Sequence, residues 1–133
     1  MNLEQTMHQR WAAASGLNAL LSATRLRTGL ARNAAVPYAT LTPRSSRTIV
    51  RTNAGDALEQ VALAIHVWHD DFDAGQAIAD LVDATFDQSE FDLAGQDRVI
   101  QMRRTARAAT QHADGVWQWT IEFELDVYLG SGH

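Results

Sequence analysis

The sequence predicts an α+β domain in which an antiparallel or mixed sheet of at least four strands carries two helices packed on one face. Three observations favour this class. Apolar residues recur at helical spacing near the N-terminus and again after residue 73, and they alternate with polar residues in segments 61–67 and 116–128. The 133 residues, 46% apolar and 20% charged, suffice for one core. We therefore predict a single domain over residues 1–133.

The first predicted element is one long or interrupted helix from Asn2 to about Thr28. Its apolar residues recur at intervals of three and four, which places them on one stripe. Glycine adopts the left-handed cap conformation without steric cost, so Thr28-Gly29 is the predicted stop, and Gly16 is where the helix would break. The stripe comprises Leu3, Met7, Trp11, Ala14, Leu17, Leu20 and Leu21.

The middle of the chain is predicted to form strands. Pro37 and Pro43 bracket a piece too short for a central strand, which suits a sheet edge or a connector. Arg47–Thr52 contains β-branched residues and is followed by turn-prone residues 53–56 and by the alternating segment 61–67. The two segments are predicted to form a hairpin.

The second helix is predicted from Ala74 to Phe86. Asp73 and Gln76 have the spacing of a capping box, and acidic residues suit the positive end of the helix dipole. The stripe expected to face the core consists of Ala74, Ala77, Ile78, Leu81, Val82, Thr85 and Phe86.

The last forty residues predict a long hairpin. Val116–Tyr128 alternates strictly between apolar and polar residues, and Asp114-Gly115 is a favoured two-residue turn. With that turn, opposite charges meet on one face and apolar residues on the other, with Arg104 opposite Leu125 as the exception. The predicted pairs are Arg107 with Glu122, Arg103 with Asp126, Ala108 with Ile121, Ala106 with Phe123 and Met102 with Val127.

Candidate chemistry is sparse. The chain has no cysteine, which excludes disulfides and thiolate sites. His66 and His69 with the nearby aspartates at 70, 71 and 73 invite a metal site, but residues three apart on a strand face opposite ways, and the aspartates sit where helix caps belong. The acidic residues of 122–126 are interpreted as a charge-paired sheet surface. No catalytic, cofactor-binding or metal-ligating residue is assigned, and no cofactor is expected.

The net charge of −5 weighs against broad binding to nucleic acid, which needs a basic surface. No apolar run reaches the roughly 20 residues that span a bilayer, and the N-terminus lacks a signal-peptide pattern, so no membrane partner is expected and a cytosolic origin is the simplest expectation. Trp68 lies on the strand face opposite Val61, Leu63, Ile65 and Val67. If the helices cover those four residues, Trp68 is left for a partner to bury.

The order of elements resembles the small tail-completion and tail-terminator proteins of tailed bacteriophages and prophages. The resemblance covers nearly the whole chain. It rests on element order, chain length and a few short segments, which are Thr28-Gly29-Leu30, Pro37–Leu41, Ile65–Trp68, the helix Ala74–Phe86 and the alternating Phe123, Leu125 and Val127.

The resemblance implies a non-enzymatic structural protein that forms a six-fold ring, halts growth of the tail tube and provides the surface for head attachment. Implied partners are further copies of the chain, a tail tube protein, a head-completion protein and, transiently, passing DNA. The implied location is the virion tail, with assembly in the host cytoplasm. Candidate subunit-interface residues are Trp68, Arg51 and Arg104; Glu122, Glu124 and Asp126 are the candidate channel face.

Two other readings stay open. One is a small-molecule-binding or catalytic α+β domain with a pocket between helices and sheet. The other is a neighbouring virion part, such as a head-tail connector component, or a domesticated prophage remnant.

Overall fold

The computed structural model describes residues 2–29 and 35–130, which form a six-stranded mixed sheet with three α-helices and one short 3-10 helix. The predicted α+β class is confirmed. The elements are α1 Leu3–Ala13, α2 Ser15–Leu20, the 3-10 helix Ala23–Arg25, β1 Leu26–Thr28, β2 Tyr38–Arg51, β3 Ala57–His69, α3 Phe72–Phe86, β4 Ser89–Asp92, β5 Arg98–Gln111 and β6 Trp117–Leu129.

The strands lie in the order β1-β2-β3-β6-β5-β4. β1 runs parallel to β2, and each of the other neighbouring pairs is antiparallel. Two long hairpins, β2–β3 and β5–β6, therefore meet at the centre of the sheet. Because Ala57 pairs with Leu129 and His69 pairs with Trp117, the turns of the two hairpins lie at opposite ends of the strands.

The helices pack on one face of the sheet, where alternate residues of β3 and β6 join a single apolar core. The residues between them form the opposite surface, here called the open face. The alternation predicted for both strands is confirmed. The core residues of the two strands are Val61, Leu63, Ile65, Val67, Trp119, Ile121, Phe123, Leu125 and Val127.

The predicted long N-terminal helix is broken into shorter elements. α1 ends at Ala13, and the extended residue Ala14 (φ −80°, ψ 92°) separates it from α2. Trp11, fully buried, donates a hydrogen bond from Nε1 to the Leu21 carbonyl oxygen at 2.7 Å. This bond ties Leu21, directly after α2, to α1. The break falls at Ala14 rather than at Gly16, which lies inside α2.

The prediction that Thr28-Gly29 ends a helix was wrong, because Thr28 is the last residue of strand β1 and Gly29 follows that strand. Leu26 is buried in that strand, which pairs with β2 through Ala39 and its two successors. The backbone N–H and C=O groups of this segment therefore bond to β2 rather than within a helix. Leu30, the third residue of the segment cited above, lies outside the described residues.

Strand β2 is longer than the sequence predicted. It runs through Pro43, and the pairing with β3 shifts between Pro43 and Ser45. Proline donates no backbone hydrogen bond, so it is tolerated in a strand at such a bulge and where the strand has a free outer side. Both conditions hold at this position, and the segment is a strand rather than a connector.

Helix α3 begins two residues before the predicted start. Its cap is Asp71, whose Oδ1 accepts hydrogen bonds from the backbone N–H groups of Asp73 (3.0 Å) and Ala74 (3.3 Å). The predicted capping box of Asp73 and Gln76 is therefore wrong. Gln76 instead accepts a hydrogen bond from Nε1 of the buried Trp119 at 2.9 Å, which fastens the helix to β6.

The predicted register of the β5–β6 hairpin was also wrong. His112 N–H donates to the Val116 carbonyl oxygen, so the loop contains three residues, the last being Gly115 with φ +87°. A three-residue loop ending in a left-handed glycine is a common hairpin connection. It moves the pairing by one residue, and Arg107 faces Ile121 rather than Glu122. Further shifts occur between Val99 and Gln101 and between Arg104 and Ala106.

Candidate functional site

Three carboxylates on β6 form a row on the open face. Glu122, Glu124 and Asp126 alternate with buried residues of the same strand, and their side chains are 37%, 30% and 30% exposed. Arg44 Nη2 lies 3.4 Å from Glu122 Oε1, and Arg103 contacts Glu124 and, at 3.4 Å, Asp126 Oδ2. Opposite charges in contact reduce the negative potential that the row would otherwise produce.

A polar network crosses the open face through this row. Arg47 donates two hydrogen bonds, from Nε (3.0 Å) and Nη2 (2.8 Å), to Gln60 Oε1. Gln60 Nε2 donates to Glu124 Oε1 at 2.6 Å, and Arg103 donates to the same carboxylate oxygen. The network therefore links β2, β3, β6 and β5, and its hydrogen bonds hold these side chains of the open face in place.

Trp68 lies on the open face, as predicted, but it is half-buried within the chain. Its ring stacks on Tyr38 with centroids 4.8 Å apart and planes 18° apart, and His66 lies 5.5 Å away. Burial, with a smaller contribution from Asp114, raises the pKa of Tyr38. Much of the surface that the sequence left for a partner is thus covered by Tyr38, and a role for Trp68 in an interface stays a prediction.

Trp68→Ala is expected to spare the fold, because the lost stacking and half-buried area are worth less than about 2 kcal/mol. The matched control is Trp119→Ala, which empties a fully buried site and should lower the free energy of unfolding by about 3–5 kcal/mol. Urea denaturation measures both. Equal losses would show that Trp68 is a core residue and would contradict its role at an interface.

The surroundings of His66 favour its neutral form. Burial and, secondarily, Arg44 lower its pKa, while Glu122 acts in the opposite direction. Gln118 Nε2 lies 3.1 Å and Thr120 Oγ1 3.2 Å from His66 Nδ1. Because an amide N–H can donate only to an unprotonated ring nitrogen, the Gln118 contact requires neutral Nδ1.

The free energy of unfolding should therefore fall with decreasing pH. Above about pH 6.5, the usual pKa of unfolded histidine, the neutral ring gives its full contribution. Between that value and the lower pKa of the folded state, the unfolded chain binds the proton more readily, and stability declines. Urea titrations from pH 8 to 5 should show a slope that His66→Gln flattens, whereas His8→Gln, on α1, should retain it.

His69 and its neighbouring aspartates serve the start of α3. His69 Nδ1 accepts a hydrogen bond from Asp71 N–H at 3.0 Å and lies 3.1 Å from Asp70 Oδ1. His66 points to the open face and His69 to the other, as their spacing predicts. Within residues 2–29 and 35–130, no group of three potential metal ligands comes together.

Arg104 and Arg107 lie against α3 rather than on the open face. Both donate to Asp83 Oδ2, Arg104 at 3.0 Å and Arg107 at 2.6 Å, and Arg107 also donates to Asp80 at 2.9 Å. Burial alone would lower the pKa of Arg107, but the hydrogen bonds to Asp83 and Asp80 raise it. Arg104 thus joins sheet to helix within the chain, and its predicted contact with another subunit is untested.

The sheet has two free edges in the part of the chain that the structure describes. β1 covers β2 only as far as Leu41, which leaves the outer side of Thr42–Arg51 open; we call this stretch the β2 edge. Ser89–Asp92 is the last strand on the other side and forms the β4 edge. Arg51, a predicted interface residue, ends the β2 edge and is exposed.

The acidic residues of the β4 edge were not predicted from the sequence as candidate site residues. Glu90 and Asp92 flank the buried Phe91 in a strand of only four residues. Such a strand is too short for alternation to distinguish it from a loop. Arg44 was likewise not singled out, since its partner Glu122 lies two strands away in the sheet.

These features define the class of protein: a small α+β domain with a row of partly paired carboxylates on its open face and two free sheet edges among the described residues. No helix among the described residues is long and apolar enough to cross a membrane. The family model for tail completion protein gp17 matches residues 5–128. The chain therefore belongs to the tail completion protein gp17 family, and the resemblance found in the sequence is confirmed.

A solved structure shares the fold. A chain from the virion of a native gene transfer agent particle superimposes with a TM-score of 0.70 at 14% sequence identity, covering 92% of this chain and 91% of that chain. At this identity the likeness is evidence for the fold. No curated protein sequence matches the chain.

Proposed function

We propose that this chain is a non-enzymatic, tail-terminator-like domain that forms a ring, completes the tail tube and joins it to the head. The observation that carries the proposal is the family match over residues 5–128. Its proposed partners are further copies of itself in a six-membered ring, a tail tube protein and a head-completion protein. Its place is the virion tail, after assembly in the host cytoplasm.

The surfaces support a structural role over a catalytic one. A cavity of about 290 Å³ lies on the helix-covered side, beside Leu3, Leu41 and Leu63. Most of its lining is apolar, although Glu4 and Arg44 also border it, whereas His66, whose pKa is lowered, lies on the open face. A binding or catalytic pocket would be expected to bring together titratable groups whose pKa values are shifted. A head-tail connector component is the closer alternative, because it would use similar surfaces.

Deleting the gene in the particle that encodes it tests the role. Loss should leave tails that are abnormal in length or fail to join heads, and purified protein added to such extracts should restore joined particles. Electron microscopy counts the free tails, free heads and complete particles. Normal tails in the absence of the chain would contradict the proposal, and finished tails with defective heads would favour the connector.

The open face is proposed to line the channel through which DNA passes. Glu122, Glu124 and Asp126 keep negative charge there, although Arg44 and Arg103 balance part of it. Replacing all three carboxylates with lysine should slow DNA passage or retain DNA, because the face would become strongly basic. Infectivity and DNA retention are the measurements, with a triple glutamine variant as control. Unchanged values for the lysine variant would argue against a channel position.

A further inference from the structure

The two free edges lie level with each other across the sheet. The strand pairings can be followed residue by residue from the β2 edge to the β4 edge. The β4 edge is thus neither above nor below the β2 edge but at the same position along the strands. Two complete lines of paired residues are Val50–Leu58–Tyr128–Arg98–Asp92 and Ser46–Val61–Leu125–Met102–Ser89.

The two edges also run in the same direction. Four antiparallel pairings separate β2 from β4, and an even number of reversals restores the original direction. A second copy rotated about an axis along the strands can therefore place its β4 edge beside the β2 edge of the first, as a parallel neighbour. The β2 edge is longer than β4, which leaves room for the offset that strand tilt introduces.

The charges of the two edges are complementary. The β2 edge carries Arg44, Arg47 and Arg51, all exposed, of which Arg44 already contacts a carboxylate. On the β4 edge, the side chains of Glu90 and Asp92 are 66% and 80% exposed. Both share a single arginine, Arg98, at 3.4 and 2.9 Å. The acidic edge therefore keeps an excess of negative charge and the basic edge an excess of positive charge.

Exposed apolar side chains accompany these charges. Among the described residues, five large apolar side chains are exposed, and three of them lie at this level of the sheet. Ile49 and Val50 belong to the β2 edge. Ile100 lies on β5 between Val99 and Met102, the residues that pair with Phe91 and Ser89 of β4. Apolar side chains beside unpaired strand backbone favour pairing with another strand.

We infer that neighbouring copies of this chain join head to tail, with the β4 edge of one copy paired to the β2 edge of the next. The inference rests on the proposed ring and specifies the surfaces that close it. Because the contact uses two different edges, each copy retains one edge for the next copy, and the assembly continues until the ring closes. Electrostatic complementarity selects this pairing over β2 with β2.

Charge reversal tests the pairing. Arg47→Glu/Arg51→Glu gives a chain with two acidic edges, and Glu90→Lys/Asp92→Lys gives one with two basic edges. Each alone should raise the concentration for half-assembly at least about tenfold. An equimolar mixture should restore assembly, because every contact then joins an acidic to a basic edge. Native mass spectrometry at low salt measures this, with Thr110→Glu/Gln111→Glu as a control, because these exposed residues lie at the far end of β5 from the part that pairs with β4.

A covalent test uses the natural absence of cysteine. Val50→Cys and Asp92→Cys in one chain lie about 19 Å apart, four strand spacings, so they cannot form an internal disulfide. Mild oxidation should produce a ladder of covalent oligomers, whereas either single variant should stop at dimers. Thr48→Cys with Asp92→Cys samples the neighbouring register.

The outcomes separate this inference from the proposed ring. The edge pairing would be overturned if the wild type assembled and both charge-reversed variants assembled equally well. It would also be overturned if neither cysteine pair gave a ladder of oligomers. Either result would leave the proposed ring itself unaffected. Assembly of Glu90→Lys/Asp92→Lys alone at the wild-type concentration would overturn the inference, because this variant keeps its β2 edge unchanged and a contact between two β2 edges would account for the result. A wild-type chain that stays monomeric alone and on tail tubes would contradict ring and pairing together.

Discussion

Gly75→Ala should lower the free energy of unfolding by about 3 kcal/mol, although alanine is the better helix former. Gly75 is buried on α3, and a β-carbon there would lie 2.2 Å from two ring carbons of Trp119 and 3.0 Å from the β-carbon of His69. Trp119 has no room to retreat, because it is fully buried and its indole nitrogen is bonded to Gln76. Urea denaturation followed by tryptophan fluorescence measures the loss.

Gly16→Ala is the matched control. A β-carbon at Gly16 would meet only the side chain of Leu81, at an ordinary 3.9 Å. Lower entropy of the unfolded chain should therefore stabilise this variant by about 0.5–1 kcal/mol. If the two glycine variants proved equally stable, α3 would not lie against the Trp119 ring.

Asp83→Ala should cost about 2–3 kcal/mol. The side chain of Asp83 is 16% exposed and accepts hydrogen bonds from two arginines on β5, Arg104 and Arg107. Arg107 is itself only 18% exposed, so removal of this carboxylate leaves a largely buried charge poorly compensated. Chemical denaturation should show the loss, and it should persist at high salt because the contact is shielded from solvent.

Asp80→Ala provides the comparison, since it removes a carboxylate from the same arginine. Asp80 is 61% exposed, and exposed ion pairs contribute between 0 and about 1 kcal/mol. A loss for Asp80→Ala equal to that for Asp83→Ala would mean that burial does not set the strength of these contacts.

The sequence predicted the type of the major elements better than their pairing. Strict alternation in Val116–Tyr128 is a local property of the chain, and the structure confirms it. The register depends on how many residues form the turn, and Asp114-Gly115 is compatible with a loop of two or three residues. One residue of difference sends Arg107 to the other face of the sheet, where Asp80 and Asp83 receive it.

That error had a physical cause. An arginine opposite a large apolar residue is unfavourable when only the two strands of the hairpin are considered. In the folded chain, Arg104 faces Phe123 and Arg107 faces Ile121, yet both guanidinium groups reach α3. A helix distant in the sequence thus supplies the compensating charge, and no local pattern reveals it.

The same limit applies to the candidate site. The positions of Glu122, Glu124 and Asp126 follow from alternation along one strand, whereas Arg44 reaches Glu122 from two strands away. Trp68 was placed on the correct face, but its stacking on Tyr38 depends on the pairing of β2 with β3. Periodicity therefore assigns faces, and tertiary structure decides which residues meet on them.

The opposite placement of the two hairpin turns makes the molecule polar from end to end. In any ring whose axis runs along the strands, every copy presents residues 52–56 toward one rim and residues 112–116 toward the other. The two rims then differ in composition, Thr-Asn-Ala-Gly-Asp on one and His-Ala-Asp-Gly-Val on the other. An annulus of this kind has a built-in top and bottom, so it can dock onto two unlike neighbours without being inserted upside down.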